Sequence, residues 1–278
     1  MNEIGMGGND PTRGAVSSEL PIGWAERFAV AQRLTVEAGA LAMRMRPPPG
    51  AAQGSLKSAQ DWLTEADGTV ERFLSEAFAQ AFPDDGFQGE EGGATRPGAL
   101  RWVVDPIDGT SNFAHGAPRW CVSVGLMANE EAVLGVLVAP ALGDTFAAVR
   151  GGGATLNGAP IRAATTATMG RAIVECGWSP RMPNARYQAL CGRVLAAGAM
   201  MRAGGSGALG LADVAAGRLD GYVELHINLW DCCAALAVLA EAGAHVNAFL
   251  PAGIVGGAPV LGCAPALAEE LEGILAGC

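Results

Sequence analysis

The sequence predicts a layered α/β (α+β) fold, and three observations carry that expectation. Apolar residues recur every three or four positions near the start, run as short β-rich segments in the middle, and then mark strands interleaved with helices. Half of the 278 residues are hydrophobic, enough to bury a substantial core, and no internal repeat is visible.

Trp24, Phe28, Ala31, Leu34, Ala38, Leu41 and Met45 form the first periodic stripe and predict a helix over 24–45, ended by Pro47, Pro48 and Pro49. A second helix is expected over 64–82, with Val70, Phe73, Leu74, Ala77, Phe78 and Ala81 turned inward, and the polar connection between the two carries Lys57 and Asp61. Residues 1–20 are rich in Gly, Asn, Ser and Pro and read as a flexible extension without a secretory signal. One domain is expected over 21–278, with an N-terminal part about 21–165 and a C-terminal part about 166–278.

From Arg101 the period changes. "RWVVD", "WCVSVGLMA", "AVLGVLVAP" and "DTFAAVR" are strands separated by turn signals, and "GGGATLNGAPIR" is a hairpin with an Asn-Gly turn, lacking the lysine of a nucleotide loop. Beyond it the pattern predicts a strand over 172–177, helices over 184–197 and 206–216, the strand "DGYVEL", and a helix opening at Asp231 and closed by Gly243.

Charge narrows the partners. With 18 basic and 28 acidic residues the net charge is -10, and Lys57 is the single lysine, so nucleic acid and anionic membrane surfaces are poor partners. The charge-free stretch 247–268 is broken by Pro251, Gly253, Gly256, Gly257, Pro259, Gly262 and Pro265, and reads as buried strands and turns, not as a membrane span. Seven scattered cysteines without CxxC spacing read as reduced core thiols of a cytoplasmic protein, and His115, His226 and His245 lack the spacing of a zinc site.

The acids at element ends carry the chemistry. Glu90 and Glu91 lie between glycines in "GFQGEEGG", Asp105 and Asp108 end a strand in "DPIDGT", and Asp231 opens a helix. Taken singly, Glu90 and Glu91 are surface charge and Asp231 is a helix N-cap. Taken together, they are oxygen ligands for Mg²⁺, a hard cation that keeps positions open for phosphate and turns an acidic pocket into one that attracts an anion. Pro106 stiffens the turn so that both aspartates and the Ile107 carbonyl can face one pocket. Gly109 and Thr110 then offer backbone N–H groups to a phosphate oxygen, and the Thr110 hydroxyl can orient a water.

These residues resemble a known family. "DPIDGTSNFAHGAPRWCVSVGL", "LWDCCAALAVLAEAGAHV", "GEE" and "KSAQDWLTEADGTVERFL" are similar to the motifs of the inositol monophosphatase family, magnesium-dependent and lithium-sensitive, and the likeness runs from about Trp24 to the C-terminus. The resemblance implies an αβαβα sandwich of the inositol monophosphatase/fructose bisphosphatase type, a homodimer, and hydrolysis of a phosphate monoester by two or three Mg²⁺ ions without a covalent intermediate. It implies Glu90, Asp105 and the Ile107 carbonyl at one ion, Asp105, Asp108 and Asp231 at a second, and a looser third sharing Glu90 near Lys57. It also implies that Thr110, bonded to Asp67, activates the water with Glu90, and that Gly109 and Thr110 bind phosphate. For Thr64-x-x-Asp67 a helix capping box stands as the structural alternative.

By the same resemblance Glu224, seven residues before Asp231, and Ser206 with Gly207 contact the substrate ring. Ser111 and "NFAHG" favour inositol 1-phosphate over the histidinol phosphate or nucleotide 3'-phosphate of related enzymes. A regulatory binding protein with weak phosphatase activity is the non-enzyme alternative. His226 and Asn228 depart from the family pattern, and His226 reads equally as a packing residue.

Overall fold

The computed structural model describes residues 23–50, 52–58, 61–250 and 256–278, with the side chains of Lys57, Ser58, Asp61 and Ala94 outside the description. The extension over 1–20 likewise lies outside the described residues.

The chain opens with α1 (Trp24–Met45), the hairpin β1 (Ser55–Ser58) and β2 (Asp61–Leu63), and α2 (Glu65–Ala81). The strands β3 (Gly86–Gly89), β4 (Gly93–Arg96), β5 (Leu100–Asp108), β6 (Cys121–Ala128), β7 (Glu131–Ala139), β8 (Asp144–Val149), β9 (Gly153–Leu156) and β10 (Ala159–Pro160) form one sheet in the order β10-β9-β8-β7-β6-β5-β3-β4. A short α3 (Thr110–Ala114) follows β5 directly. The second half supplies β11 (Ile173–Gly177), α4 (Asn184–Ala196), β12 (Met200–Arg202), α5 (Gly207–Ala215), β13 (Gly221–Ile227), α6 (Leu229–Ala242), β14 (His245–Val246), β15 (Ala258–Cys263) and α7 (Ala268–Ala276). Its sheet has the order β12-β11-β13-β15-β14.

Five layers result. α1 and α2 cover one face of the large sheet through Leu34, Ala38, Val70, Leu74 and Phe78, and Phe78 stacks on Trp102 of β5 at 4.1 Å between ring centroids. α5 and α6 lie between the two sheets, and α4 and α7 cover the far face of the small one. This is the αβαβα sandwich that the sequence predicts. Among the described residues no helix is long and apolar enough to cross a membrane.

A central helix must be apolar on nearly every side, and α6 is: Leu229, Cys232 to Leu239 and Ala242 are all buried. Its approach to the large sheet depends on two glycines that face each other across β6 and β7, Gly125 and Gly135. A Cβ on Gly135 would stand 2.0 Å from the Ala234 carbonyl oxygen, and one on Gly125 would stand 2.5 Å from Cys233 Sγ. The pair leaves a groove for the small residues of α6. That groove sets the height of the helix, and so the position of Asp231 in its first turn.

Several sequence expectations need correction. The helix expected to open at Asp231 begins at Leu229, with Asn228 at the N-cap and Asp231 third, so Asp231 is not itself the cap. The helix expected over 64–82 is α2, with Thr64 and Phe82 as its caps. The strand expected to end with Asp105 and Asp108 does so at Asp108, and its pairing to β6 shifts between the two aspartates. The Glu90 loop is the turn of a β3–β4 hairpin that alternation alone does not reveal, because its strands hold four residues each. The Asn-Gly hairpin forms as expected, with Asn157 and Gly158 both at positive φ.

Candidate metal centre

Asp105, Asp108 and Asp231 each offer a carboxylate oxygen, and the three atoms lie within 4.8 Å of one another. Asp105 and Asp108 are buried and Asp231 is half-buried. Two chain segments far apart in sequence thus meet, the end of β5 and the first turn of α6.

Each carboxylate is held by local backbone. Asp105 Oδ1 accepts the N–H of Ile107 at 2.9 Å, a tight turn around Pro106 where proline itself has no N–H to offer. Asp231 Oδ2 accepts the Asn228 N–H at 2.8 Å and its side-chain amide at 3.2 Å, so Asn228, a departure from the family pattern, is the cap that orients Asp231. Asp108 receives the start of α5: the Gly207 N–H at 3.2 Å, the Ala208 N–H at 3.1 Å and the Ser206 hydroxyl. Ser206 also caps α5, accepting from the Leu209 N–H at 3.4 Å. Ser206 and Gly207 line the cavity, but their donors face Asp108.

Burial dominates the electrostatics. It pushes the Asp105 carboxyl well above the usual range, and the charges of Glu90, Asp108, Asp231 and Asp67 push the same way. Asp108 rises to about 7, burial outweighing the Ser206, Ala208 and Gly207 hydrogen bonds that favour its charged form. Asp231 is raised by burial against the Asn228 hydrogen bonds and the positive charge of Arg181. Three carboxylates at this spacing, two of them buried, repel one another unless protonated or neutralised, and their hard oxygen donors suit a divalent cation.

The other predicted residues surround this cluster. Gly109 sits at φ 86°, and a Cβ there would meet the carbonyl oxygens of Arg119 at 3.0 Å and Gly205 at 3.1 Å. Thr110 starts α3, and its hydroxyl donates to the Ile107 carbonyl at 2.9 Å while lying 3.5 Å from Asp67 Oδ1. Asp67 Oδ2 accepts both the Thr64 N–H and the Thr64 hydroxyl, at 2.7 and 2.5 Å. The capping box thus engages one oxygen of Asp67, and the other lies toward the Thr110 hydroxyl. Burial raises Asp67 as well.

Glu90 lines the same cavity but is not one of the three clustered carboxylates. Its turn is fixed by a residue the sequence reading missed: Glu71 of α2 accepts the N–H groups of Glu91 at 2.8 Å and Gly92 at 2.7 Å. Spacing was an available signal, since Glu71 follows Asp67 by one helical turn. The Lys57 side chain lies outside the described residues.

The cavity beside the cluster has a volume of about 540 Å³. Glu224 of β13 lines it, buried, accepting from the Tyr222 hydroxyl at 2.5 Å, and burial pushes its carboxyl up to about 8. Tyr222 was missed although it stands two residues from Glu224 on the same strand face. His226 bonds the Gly256 carbonyl at 3.0 Å, a packing contact. Arg119 was also missed. It bridges Glu175 and Asp213 at 2.9 and 2.8 Å, while Glu175 accepts the Gly204 N–H and the Asn112 amide holds the Arg119 and Gly204 carbonyls. This network braces the loop that leads Ser206 to Asp108.

The inositol monophosphatase family model matches residues 24–275. The chain belongs to the inositol monophosphatase family. Among its relatives are the inositol-1-monophosphatase of Rhizobium meliloti, 39% identical over 69% of this chain and 73% of its own, and the Nus factor SuhB of Xylella fastidiosa, 39% identical over 69% and 71%. The crystal structure of the extragenic suppressor protein suhB of Bartonella henselae superposes with a TM-score of 0.82 at 29% identity, over 90% of this chain and 98% of that one. The family and the acidic cluster together make this chain a phosphatase that depends on divalent metal.

Proposed function

We propose that this phosphatase is a Mg²⁺-dependent inositol 1-phosphate phosphatase acting through two or three ions. The observation that carries the reading is the convergence of Asp105, Asp108 and Asp231 within 4.8 Å, at a cavity that Gly109, Thr110 and Glu224 also line. Asp105, Asp108, Asp231, Glu90 and the Ile107 carbonyl would hold the ions. When bound, the ions supply Lewis-acid polarisation of the ester and lower the pKa of water.

The protein's own groups do the rest. Gly109 and Thr110 hold the phosphate oxygens through backbone N–H groups at the start of α3. Thr110 and Glu90 orient the attacking water. Thr110 relays its proton toward Asp67 Oδ1, 3.5 Å away, a carboxyl whose raised affinity for protons suits it to receive one. Glu224, held by Tyr222, meets the alcohol hydroxyls as donor or acceptor, which supports a polyol. No protein nucleophile is needed, and the buried cysteines are kept as thiols because burial raises their pKa values.

The reading extends to one catalytic domain over 21–278 that works as a cytoplasmic, lithium-inhibited homodimer, with Lys57 near the loosest ion and Ser206 and Gly207 at the substrate ring. The test is phosphate release with Mg²⁺ from inositol 1-phosphate, histidinol phosphate and a nucleotide 3'-phosphate. Inositol 1-phosphate is expected to give the highest kcat/KM of the three, and a higher value for either of the others overturns the substrate assignment. The Nus factor name of one relative favours a second reading, a regulatory protein of weak activity, for which metal binding without turnover is the distinguishing result.

A further inference from the structure

Asp108 takes its donors from one short stretch, the Ser206 hydroxyl and the Gly207 and Ala208 N–H groups. Its orientation therefore depends on where the loop over 203–206 delivers the start of α5. That loop lies between β12 and α5 and has no helix or strand of its own, so other elements must fix it. The Gly204 N–H donates to Glu175 Oε1 at 3.1 Å, and the Asn112 amide donates to the Gly204 and Gly205 carbonyls at 2.9 and 3.3 Å. The backbone runs so close that a Cβ on Gly204 would overlap the Arg119 guanidinium and stand 2.6 Å from Glu175 Oε1.

These restraints meet at Arg119. One terminal nitrogen donates to Glu175 Oε2 at 2.9 Å on β11, and the other to Asp213 Oδ2 at 2.8 Å, about two turns along α5 from Ser206. Its own carbonyl accepts the Asn112 amide at 2.7 Å. A single side chain thus grips the loop before α5, through Glu175, and the helix itself, through Asp213. Both acids are buried. Asp213 has a second cation in Arg218 at 3.3 Å, whereas Glu175 has no other ion pair among the described residues. Without Arg119 the Glu175 carboxylate would be a buried charge without its counter-ion, and Gly204 would lose a fixed acceptor.

We infer that Arg119 is a positioning residue of the metal centre: by holding Glu175 against Gly204 and Asp213 on α5, it aims Ser206, Gly207 and Ala208 at Asp108 and so sets the affinity of the acidic cluster for a divalent cation. The inference rests on the metal-centre reading of that cluster. Groups that orient metal ligands from behind typically carry about 10–100-fold in metal affinity. The charge of Arg119 works in the opposite direction. It attracts Asp108 and so competes with a cation at the cluster, and its removal, acting through charge alone, would tighten metal binding. Position and charge are therefore separable by sign.

The test is Mg²⁺ titrated by calorimetry into chelated protein without substrate, in the wild type, Arg119→Gln, Arg119→Lys, and Arg119→Gln combined with Glu175→Gln, each below its melting transition. The double variant keeps the net charge of the wild type and removes the unpaired carboxylate, so it decides the matter even where Arg119→Gln fails to fold. The Kd for Mg²⁺ is expected to rise at least about tenfold in Arg119→Gln and in the double variant. A smaller rise is expected in Arg119→Lys, which keeps the charge but offers one nitrogen to two acids. Unchanged binding in the double variant, tighter binding in Arg119→Gln, or wild-type binding in Arg119→Lys overturns the inference and leaves the metal centre standing. A wild type that takes up no Mg²⁺ overturns both.

Discussion

The backbone N–H of Gly207, in the first turn of α5, donates to Asp108 Oδ1 at 3.2 Å. Strand β5 and helix α5 are thereby locked together at one carboxylate, and the positive end of the helix lies against an acid that burial holds near a pKa of 7. Asp108 is at once a structural acceptor and a member of the acidic cluster. Its replacement separates the two roles. Asp108→Asn keeps an acceptor oxygen for α5 but removes a charge, so turnover is expected to fall by at least about a hundredfold while the chelated protein melts within a few degrees of wild type. Steady-state phosphate release and thermal melts in chelator measure both. Collapse of the fold would make Asp108 chiefly structural.

The repulsion within the cluster predicts the effect of metal on stability. Chelated wild type is expected to gain several degrees in Tm on addition of millimolar Mg²⁺, because the ion binds the folded chain and not the unfolded one. Asp105→Asn, which removes a buried carboxylate that feels the charges of Glu90, Asp108, Asp231 and Asp67, is expected to lose that gain and to melt at or above the chelated wild type. A full Mg²⁺ shift in Asp105→Asn would count against direct ligation.

Glu224 predicts a pH dependence. Its carboxyl is raised to about 8 in the folded chain, against an ordinary value of 4.5. The folded state then binds the proton more tightly than the unfolded one, so this group stabilises fully below its unfolded pKa and loses that contribution as pH rises through about 8. The loss is on the order of a few kcal/mol. The chelated protein is therefore expected to lose Tm from pH 5 toward pH 8.5, and Glu224→Gln, which keeps a neutral group beside Tyr222, is expected to flatten that slope. A slope unchanged in Glu224→Gln would show that Glu224 does not titrate in this range.

The Gly125–Gly135 groove ties packing to the site. Gly135→Ala puts a methyl 2.0 Å from the Ala234 carbonyl oxygen, and backbone cannot yield as a flexible side chain does. The substitution is expected to cost about 1–3 kcal/mol and, by lifting α6 and Asp231, to weaken Mg²⁺ activation in the molecules that remain folded. Denaturant melts and a Mg²⁺ titration of activity read the two effects. A destabilised variant with an unchanged Mg²⁺ midpoint would uncouple the groove from the site.

Much of this was legible in the residues. The stripe from Trp24 to Met45 is α1, because one buried face gives a clean period. The acids of "DPIDGT" and the Asp231 region meet as their positions at element ends implied. What was hidden lies in tertiary pairing. Strands of four residues such as β3 and β4 are too short to show alternation. Asn228 could not be told from a substrate contact until its hydrogen bonds to Asp231 defined the cap. The partners of Arg119, Glu175 and Asp213, are 56 and 94 residues away, and no local spacing announces them.

The central claim is that Asp105, Asp108 and Asp231 form the metal centre of a phosphate monoesterase. The most direct measurement is phosphate release from inositol 1-phosphate by chelator-treated protein titrated with Mg²⁺, wild type beside Asp105→Asn. The expected result is no turnover without metal, full turnover on its return, and a loss of at least about a hundredfold in the variant at every Mg²⁺ concentration. Turnover that survives chelation, or Asp105→Asn at the wild-type rate, would contradict it.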